Sequence, residues 1–161
     1  MATASLSKVF FFPIALFFVF ASTALIVLLC SANIYQNVVD TSDHAFETST
    51  TLAYITEKTR QNDTSLDHRI SIETFDGNEA LTISETINGT LYHTYIYEVN
   101  GELKELFIQN GVSASADFGT TILQIGHLEM KELSDGLFKF ICTATNGTSD
   151  SIIISTRSSF N

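Results

Sequence analysis

VFFFPIALFFVFASTALIVLLC, residues 9–30, decides the architecture. It is 22 residues long, carries no charge, and its only polar side chains are Ser22 and Thr23. As a helix it reaches roughly 33 Å, enough for the ~30 Å hydrocarbon core of a bilayer. Lys8 and the α-amino group precede it, and the first charges after it are Asp40 and Asp43. The positive-inside rule therefore expects a single-pass protein of the cell membrane with residues 1–8 as a cytoplasmic leader and the C-terminal domain outside. The bilayer is the expected partner of residues 9–31. Pro13 is expected in the first turn or so, where a missing N–H costs little. Three kinds of processing compete with a retained span: cleavage after Ala32, lipidation at Cys30, and prepilin cleavage before the apolar stretch.

Downstream of Cys30 no Gly or Pro interrupts the chain until Gly77. Ile34, Val38, Ala45 and Leu52, with Tyr35, Val39, Phe46 and Ala53 beside them, recur near three- and four-residue spacing. This predicts an amphipathic helix over 32–60, continuous with the span except for a potential break near 31–33. Thr48 and its polar neighbours are assigned to the solvent face.

After the polar connection QNDTSLDH (61–68) the period changes to that of strands. RISIETF (69–75), EALTISETI (79–87), TLYHTYIYEV (90–99), ELKELFIQ (102–109), a segment near 126–132, LFKFICTAT (137–145) and SDSIIISTR (149–157) give seven candidate strands. Asp76-Gly77-Asn78, Asn88-Gly89, Asn100-Gly101, Asp135-Gly136 and Asn146-Gly147 mark the turns. Alternation at Ile70/Ile72, Leu81/Ile83, Phe138/Phe140 and Ile152/Ile154 leaves one sheet face to bury the amphipathic helix. The expected fold is α+β, with a domain at 61–161 that is an antiparallel meander.

Composition narrows the function. Residues 31–161 hold seven basic and 18 acidic side chains, a net charge of −11. An acidic domain without a basic run argues against nucleic-acid binding and against contact with anionic lipid headgroups; the charge reads as solubility. Cys30 and Cys142 are too far apart in kind and place to form a disulfide framework. His44, His68, His93 and His127 have no metal-ligand spacing, and the oxygen-rich stretches 63–67 and 76–79 do not match a calcium loop. No phosphate loop, nucleophile elbow or CxxC is present. Tyr92, Tyr95 and Tyr97 read as half-buried strand aromatics. No catalytic, cofactor-binding or metal-binding residue and no cofactor is assigned.

The stretches ANIY (32–35), LAYI (52–55) followed by KTRQND (58–63), LTISETI (81–87), TYIY (94–97) and 103–107 resemble a small, uncharacterised bacterial family of single-span membrane proteins, a domain of unknown function. The order of an apolar then amphipathic helix followed by antiparallel strands also resembles type IV pilins and pseudopilins. Pilins carry a Gly before the cleavage point and a Glu five residues into the mature helix; this chain has neither. The resemblance implies a non-enzymatic minor component of a pilus-like or type II secretion-like assembly, with pilin-like membrane subunits as partners. The alternative is an anchored extracytoplasmic binding or sensor domain.

Overall fold

The computed structural model describes residues 3–63 and 69–157, with side chains at 12–31, 46–63 and 69–157. The side chains of the expected stripe at 34–45, with His44, and most of the 61–68 connection, with His68, lie outside these. The chain forms two compact units, Met1–Ser42 and Asp43–Asn161. One helix, α1 (Thr3–Asn62), contributes to both, with no break near 31–33. It begins earlier than the sequence suggests, so Pro13 lies well inside it. There the ring removes the N–H that would meet the carbonyl four residues back.

In the first unit, Phe12–Ser31 is long and apolar enough to cross a membrane, and its side chains are exposed throughout. Thr23 donates its hydroxyl to the Phe20 carbonyl at 2.9 Å. That bond satisfies within the helix a group that hydrocarbon could not.

In the second unit the buried positions of α1 are Thr48, Thr51, Leu52, Ile55 and Thr59, a stripe at three- and four-residue spacing. This corrects the sequence reading in two places. Thr48 is buried, and Phe46 and Ala53 are exposed, Phe46 by 68 %. The reason is the hydroxyl chemistry of threonine in a helix. Thr51 donates to Glu47 O (2.8 Å) and Thr59 to Ile55 O (2.8 Å), so each polar atom is satisfied by its own helix and the methyl is left to pack.

Among the described residues the strands are eight, not seven, and they form two sheets rather than one. Strands β1 (Arg69–Phe75), β2 (Asn78–Ile87), β3 (Thr90–Val99), β4 (Glu102–Gln109) and β5 (Thr120–Gln124) make an antiparallel five-stranded sheet in sequence order. Strands β6 (His127–Ser134), β7 (Leu137–Thr143) and β8 (Ser149–Ser155) make an antiparallel three-stranded sheet. The first three turns are built as their residues require. Asp76-Gly77, Asn88-Gly89 and Asn100-Gly101 each hold two successive positive φ angles, the geometry that matches strand twist in a two-residue hairpin. At Asn146-Gly147 only the glycine is positive, and β7 ends at Thr143 rather than 145. Glu47 of α1 draws Thr145 out of the ladder, accepting its N–H at 3.0 Å and its hydroxyl at 3.2 Å.

The join between the sheets takes two residues. Ile125 N–H donates to Gly101 O (2.9 Å) in the larger sheet, and Gly126 N–H donates to Thr143 O (2.9 Å) in the smaller. A Cβ on Gly126 would sit 2.5 Å from the Ala144 carbonyl oxygen, so the close approach of two backbones needs glycine here. The strand expected near 126–132 is thus β6, and a further strand, β5, precedes it across the join.

One core lies among α1 and both sheets. Leu52 and Ile55 from the helix meet Leu81, Ile83, Ile96 and Leu103 of the larger sheet and Met130, Phe138, Phe140 and Ile154 of the smaller. Full burial of each such side chain contributes about 1.5–3 kcal/mol. The opposite face of the larger sheet carries a second cluster, Ala80, Tyr97 and Ala116, with Phe75, Tyr95, Val99 and Leu106 against it. The loop 110–119 closes over it: Tyr97 donates its hydroxyl to Ala116 O (2.7 Å), and Asp76 Oδ2 accepts Ala116 N–H (2.8 Å).

Candidate functional site

Residues of α1 at 54 and 58, one turn apart, face the same strand. Tyr54 donates its hydroxyl to Glu105 Oε2, and Lys58 Nζ reaches Glu105 Oε1 at 2.7 Å while lying 5.5 Å from the Tyr54 ring centre. Glu105 pairs with Ile96 across the ladder, so it points to the helix side of the sheet. Burial first, then the hydrogen bond to Glu105 and its negative charge, push the Tyr54 hydroxyl far above the ordinary phenol range. A phenol held neutral and already donating to a carboxylate is a poor base. The trio does what a brace does: it fixes the helix against β4.

A groove of about 520 Å³ lies between α1 and β8, and its lining includes none of Tyr54, Lys58 and Glu105. Ser49, Leu52, Ala53, Thr56, Glu57 and Arg60 form one wall and Asp150, Ser151 and Ile152 the other. The lining mixes two carboxylates and Arg60 with three hydroxyls and small or aliphatic side chains.

The acidic side chains have a structural use that composition alone hides. At least six accept a backbone N–H. Besides Glu47 and Asp76, these are Asp63 from Arg157 (2.7 Å), Glu79 from Met130 (3.0 Å), Glu98 from Gly101 (3.1 Å) and Asp150 from Ser151 (2.8 Å). Glu79 thereby ties β2 of one sheet to β6 of the other. Solubility remains a consequence of the net charge, but these carboxylates also complete the hydrogen bonding of loops and strand ends.

The aromatics singled out in the sequence separate onto two faces. Tyr95 and Tyr97 belong to the cluster under the 110–119 loop, with Phe75 stacked on Tyr95 at 4.4 Å between ring centres. Burial pushes the hydroxyls of both tyrosines above the ordinary phenol range, so both stay neutral. Tyr92 stacks instead on Phe107, at 5.1 Å. His93 shares a hydrogen bond with Ser84 (2.8 Å), and His127 Nδ1 lies 2.9 Å from Glu98 Oε2. Cys142 is buried among α1 and the smaller sheet, which pushes its thiol up; Cys30 is exposed on the apolar helix. Among the described residues no group of three or more His, Cys, Asp or Glu side chains converges as a metal site would. Nothing in the sequence marked Glu105 as the partner of α1. The four-residue spacing of Tyr54 and Lys58 was the available signal, and it needed the strand register to be read.

No curated protein and no solved structure matches the chain significantly. A family model does match, over residues 46–145. That stretch runs from the Thr-lined part of α1 through the brace, the larger sheet and the sheet crossing, and it is more than half of the 161 residues. On that match the chain belongs to the family described as a domain of unknown function (DUF4860).

Proposed function

We propose that this is a non-enzymatic, single-pass membrane protein whose second unit works by binding other proteins, as a minor component of a pilus-like or type II secretion-like assembly. The observation that carries the reading is α1 itself. One helix supplies an exposed apolar segment, Phe12–Ser31, and further along a stripe that packs on antiparallel sheets. That order is the layout of pilin-like subunits. The N-terminus is on the cytoplasmic side and the domain outside, as the charges at Lys8, Asp40 and Asp43 favour. The use of Tyr54, Lys58 and Glu105 as a brace, and of six carboxylates on backbone amides, supports binding rather than chemistry.

The chain lacks the Gly before the span and the acidic residue within it that pilins use for cleavage and for pairing between subunits. Assembly here rests on the apolar faces of the spans and on the outer domains. The test is extraction from the native membrane in mild detergent, followed by mass spectrometry of what co-purifies and of the intact chain. Co-purifying single-span, pilin-like subunits and an N-terminus near Met1 are expected. Extraction of the chain alone would sink the assembly reading.

The groove between α1 and β8 favours a second reading, an anchored binding domain for a soluble ligand. A rise in the melting temperature of the full chain in detergent on addition of a ligand would select it.

A further inference from the structure

Four strands edge the two sheets, and three of them carry devices that discourage pairing with another chain. Strand β1 presents Arg69 and Glu73, both exposed. Strand β5 has only five residues, and its ladder with β4 is irregular at Leu103/Lys104. Strand β6 carries Glu129, Lys131 and Glu132, with a register shift near its end. Strand β8 differs. Its sequence SDSIIIS has one charge, at Asp150, and Ile153 at its middle is 56 % exposed.

The ladder says which backbone groups of β8 are committed. Thr156 N–H donates to Gly136 O (2.8 Å), and Thr148 O accepts Ala144 N–H (2.8 Å), so the even-numbered residues bond toward β7. In an antiparallel pair the residues between them turn both N–H and C=O the other way. Ser151, Ile153 and Ser155 therefore line an edge that is open among the described residues. Ser151 N–H is held at 2.8 Å by the side chain of its own neighbour, Asp150, which occupies the place a strand's carbonyl would take. The groove of about 520 Å³ opens along the same strand, walled by α1.

We propose that the β8 edge is a strand-addition site, taking an extended, cationic segment of a partner protein whose alternate side chains enter the α1–β8 groove. Charge chooses the occupant. Residues 31–161 carry −11, which repels a second copy of the domain and attracts a cation. Glu57 and Asp150 outnumber Arg60 among the charged groups of the groove walls, and an incoming carbonyl at Ser151 N–H releases the Asp150 carboxylate to meet a basic side chain. Main-chain bonds to Ser151, Ile153 and Ser155 supply register, and the groove supplies side-chain selection. The site rests on the reading of this unit as a protein-binding one and names the contact.

The experiment uses the full chain in detergent micelles and a fluorescein-labelled peptide KVTVKVT, with EVTVEVT and the strand's own SDSIIIS as comparisons. Anisotropy is read on wild type, Ile153→Pro and Ile153→Lys. The proline removes an outward N–H without taking a bond from β7; the lysine adds the gatekeeping charge that the edge lacks, and it decides the matter if the proline variant does not fold. Saturable binding of KVTVKVT that weakens at least tenfold in the variants, with melting temperatures near wild type, is expected. Binding unchanged in the folded variants, or none to wild type at 1 mM peptide, overturns the site. Equal binding of EVTVEVT overturns the cationic occupant. Tighter binding of SDSIIIS, or self-association abolished by the variants, makes a second copy the occupant and also overturns the proposal. Co-extraction of single-span partners that persists in a folded Ile153 variant leaves the assembly reading standing and removes this edge as its contact.

Discussion

Residues 12–31 and residues 48–59 belong to one helix and teach opposite lessons about reading apolarity. The first segment is apolar on every side, and all its described side chains are exposed. The second buries Thr48, Thr51 and Thr59 beside Leu52 and Ile55, while Phe46, the most apolar residue near it, faces outward. Exposure of a Phe-rich surface makes sense where the solvent is hydrocarbon. Burial of threonine makes sense where the helix's own carbonyls take the hydroxyls. The same helix thus meets two environments, and the side chains that suit each are not ranked by one hydropathy scale.

The sharpest way to break the comparison is a charge in each segment. Ile55→Asp buries an unpaired carboxylate at a fully buried position and is expected to cost more than about 4 kcal/mol, leaving the second unit unfolded by circular dichroism. Phe18→Asp places the same group where no protein core exists. It is expected to leave the melting of the second unit unchanged and to lower the fraction recovered with membranes, since Asp at the centre of a span costs about 3 kcal/mol. Equal melting losses in both would mean that the two segments are not in different environments.

The two sheets offer a second contrast, which converges on Gly126. Gly126→Ala sets a methyl against the Ala144 carbonyl and is expected to cost about 1–3 kcal/mol, read as a fall in melting temperature. At Gly89, where nothing lies within 4 Å, the positive φ is the whole constraint, and Gly89→Asn is expected to be tolerated. A Gly126→Ala variant as stable as wild type would show that the crossing has room to relax.

Threonine burial itself is tested by near-isosteres. Thr59 is buried and its one described bond is to its own helix. Thr59→Val keeps the methyl, puts a second one in place of the hydroxyl and drops a local hydrogen bond, and a change within about 1 kcal/mol is expected. Thr59→Asn brings an amide that the site cannot satisfy, and a larger loss is expected. Chemical denaturation midpoints of the two variants compare them directly.

These contrasts explain which parts of the fold were legible in the sequence. The span, the hairpins at Asp76, Asn88 and Asn100, and the in-facing pairs of β1, β2, β7 and β8 follow from strong local rules: unbroken apolarity, paired positive φ, and a period of two. The number of sheets does not. It hangs on two adjacent amides, at Ile125 and Gly126, that bond to different sheets, and no local pattern encodes the partners. The brace was hidden for the same reason, since Glu105 is far from Tyr54 in sequence and adjacent only through the register. Acidic composition alone points to solubility, because a carboxylate that accepts a backbone amide looks, in sequence, like any other surface carboxylate.

The smallest effect concerns a carboxylate at the larger sheet's edge that accepts side-chain donors instead. Glu102 accepts bonds from Gln124 (2.8 Å) and Thr121 (3.0 Å) on β5, and Lys104 lies 3.4 Å away. The Gln124 bond first, then those of Thr121 and Lys104, hold its carboxyl below the usual range. A group whose folded value is depressed adds stability at every pH above its unfolded value, near 4.3, and loses it as pH falls through the folded value. The melting temperature of wild type is therefore expected to drop more steeply below about pH 4.3 than that of Glu102→Gln, with the two curves separated by a constant offset above about pH 5. The exposure of the Gln124 and Thr121 bonds keeps the offset small, because water competes for both. Curves that stay parallel through the acid range would mean that β5 is held by its backbone ladder alone. The side chains of the β4–β5 pair would then contribute nothing that pH can remove.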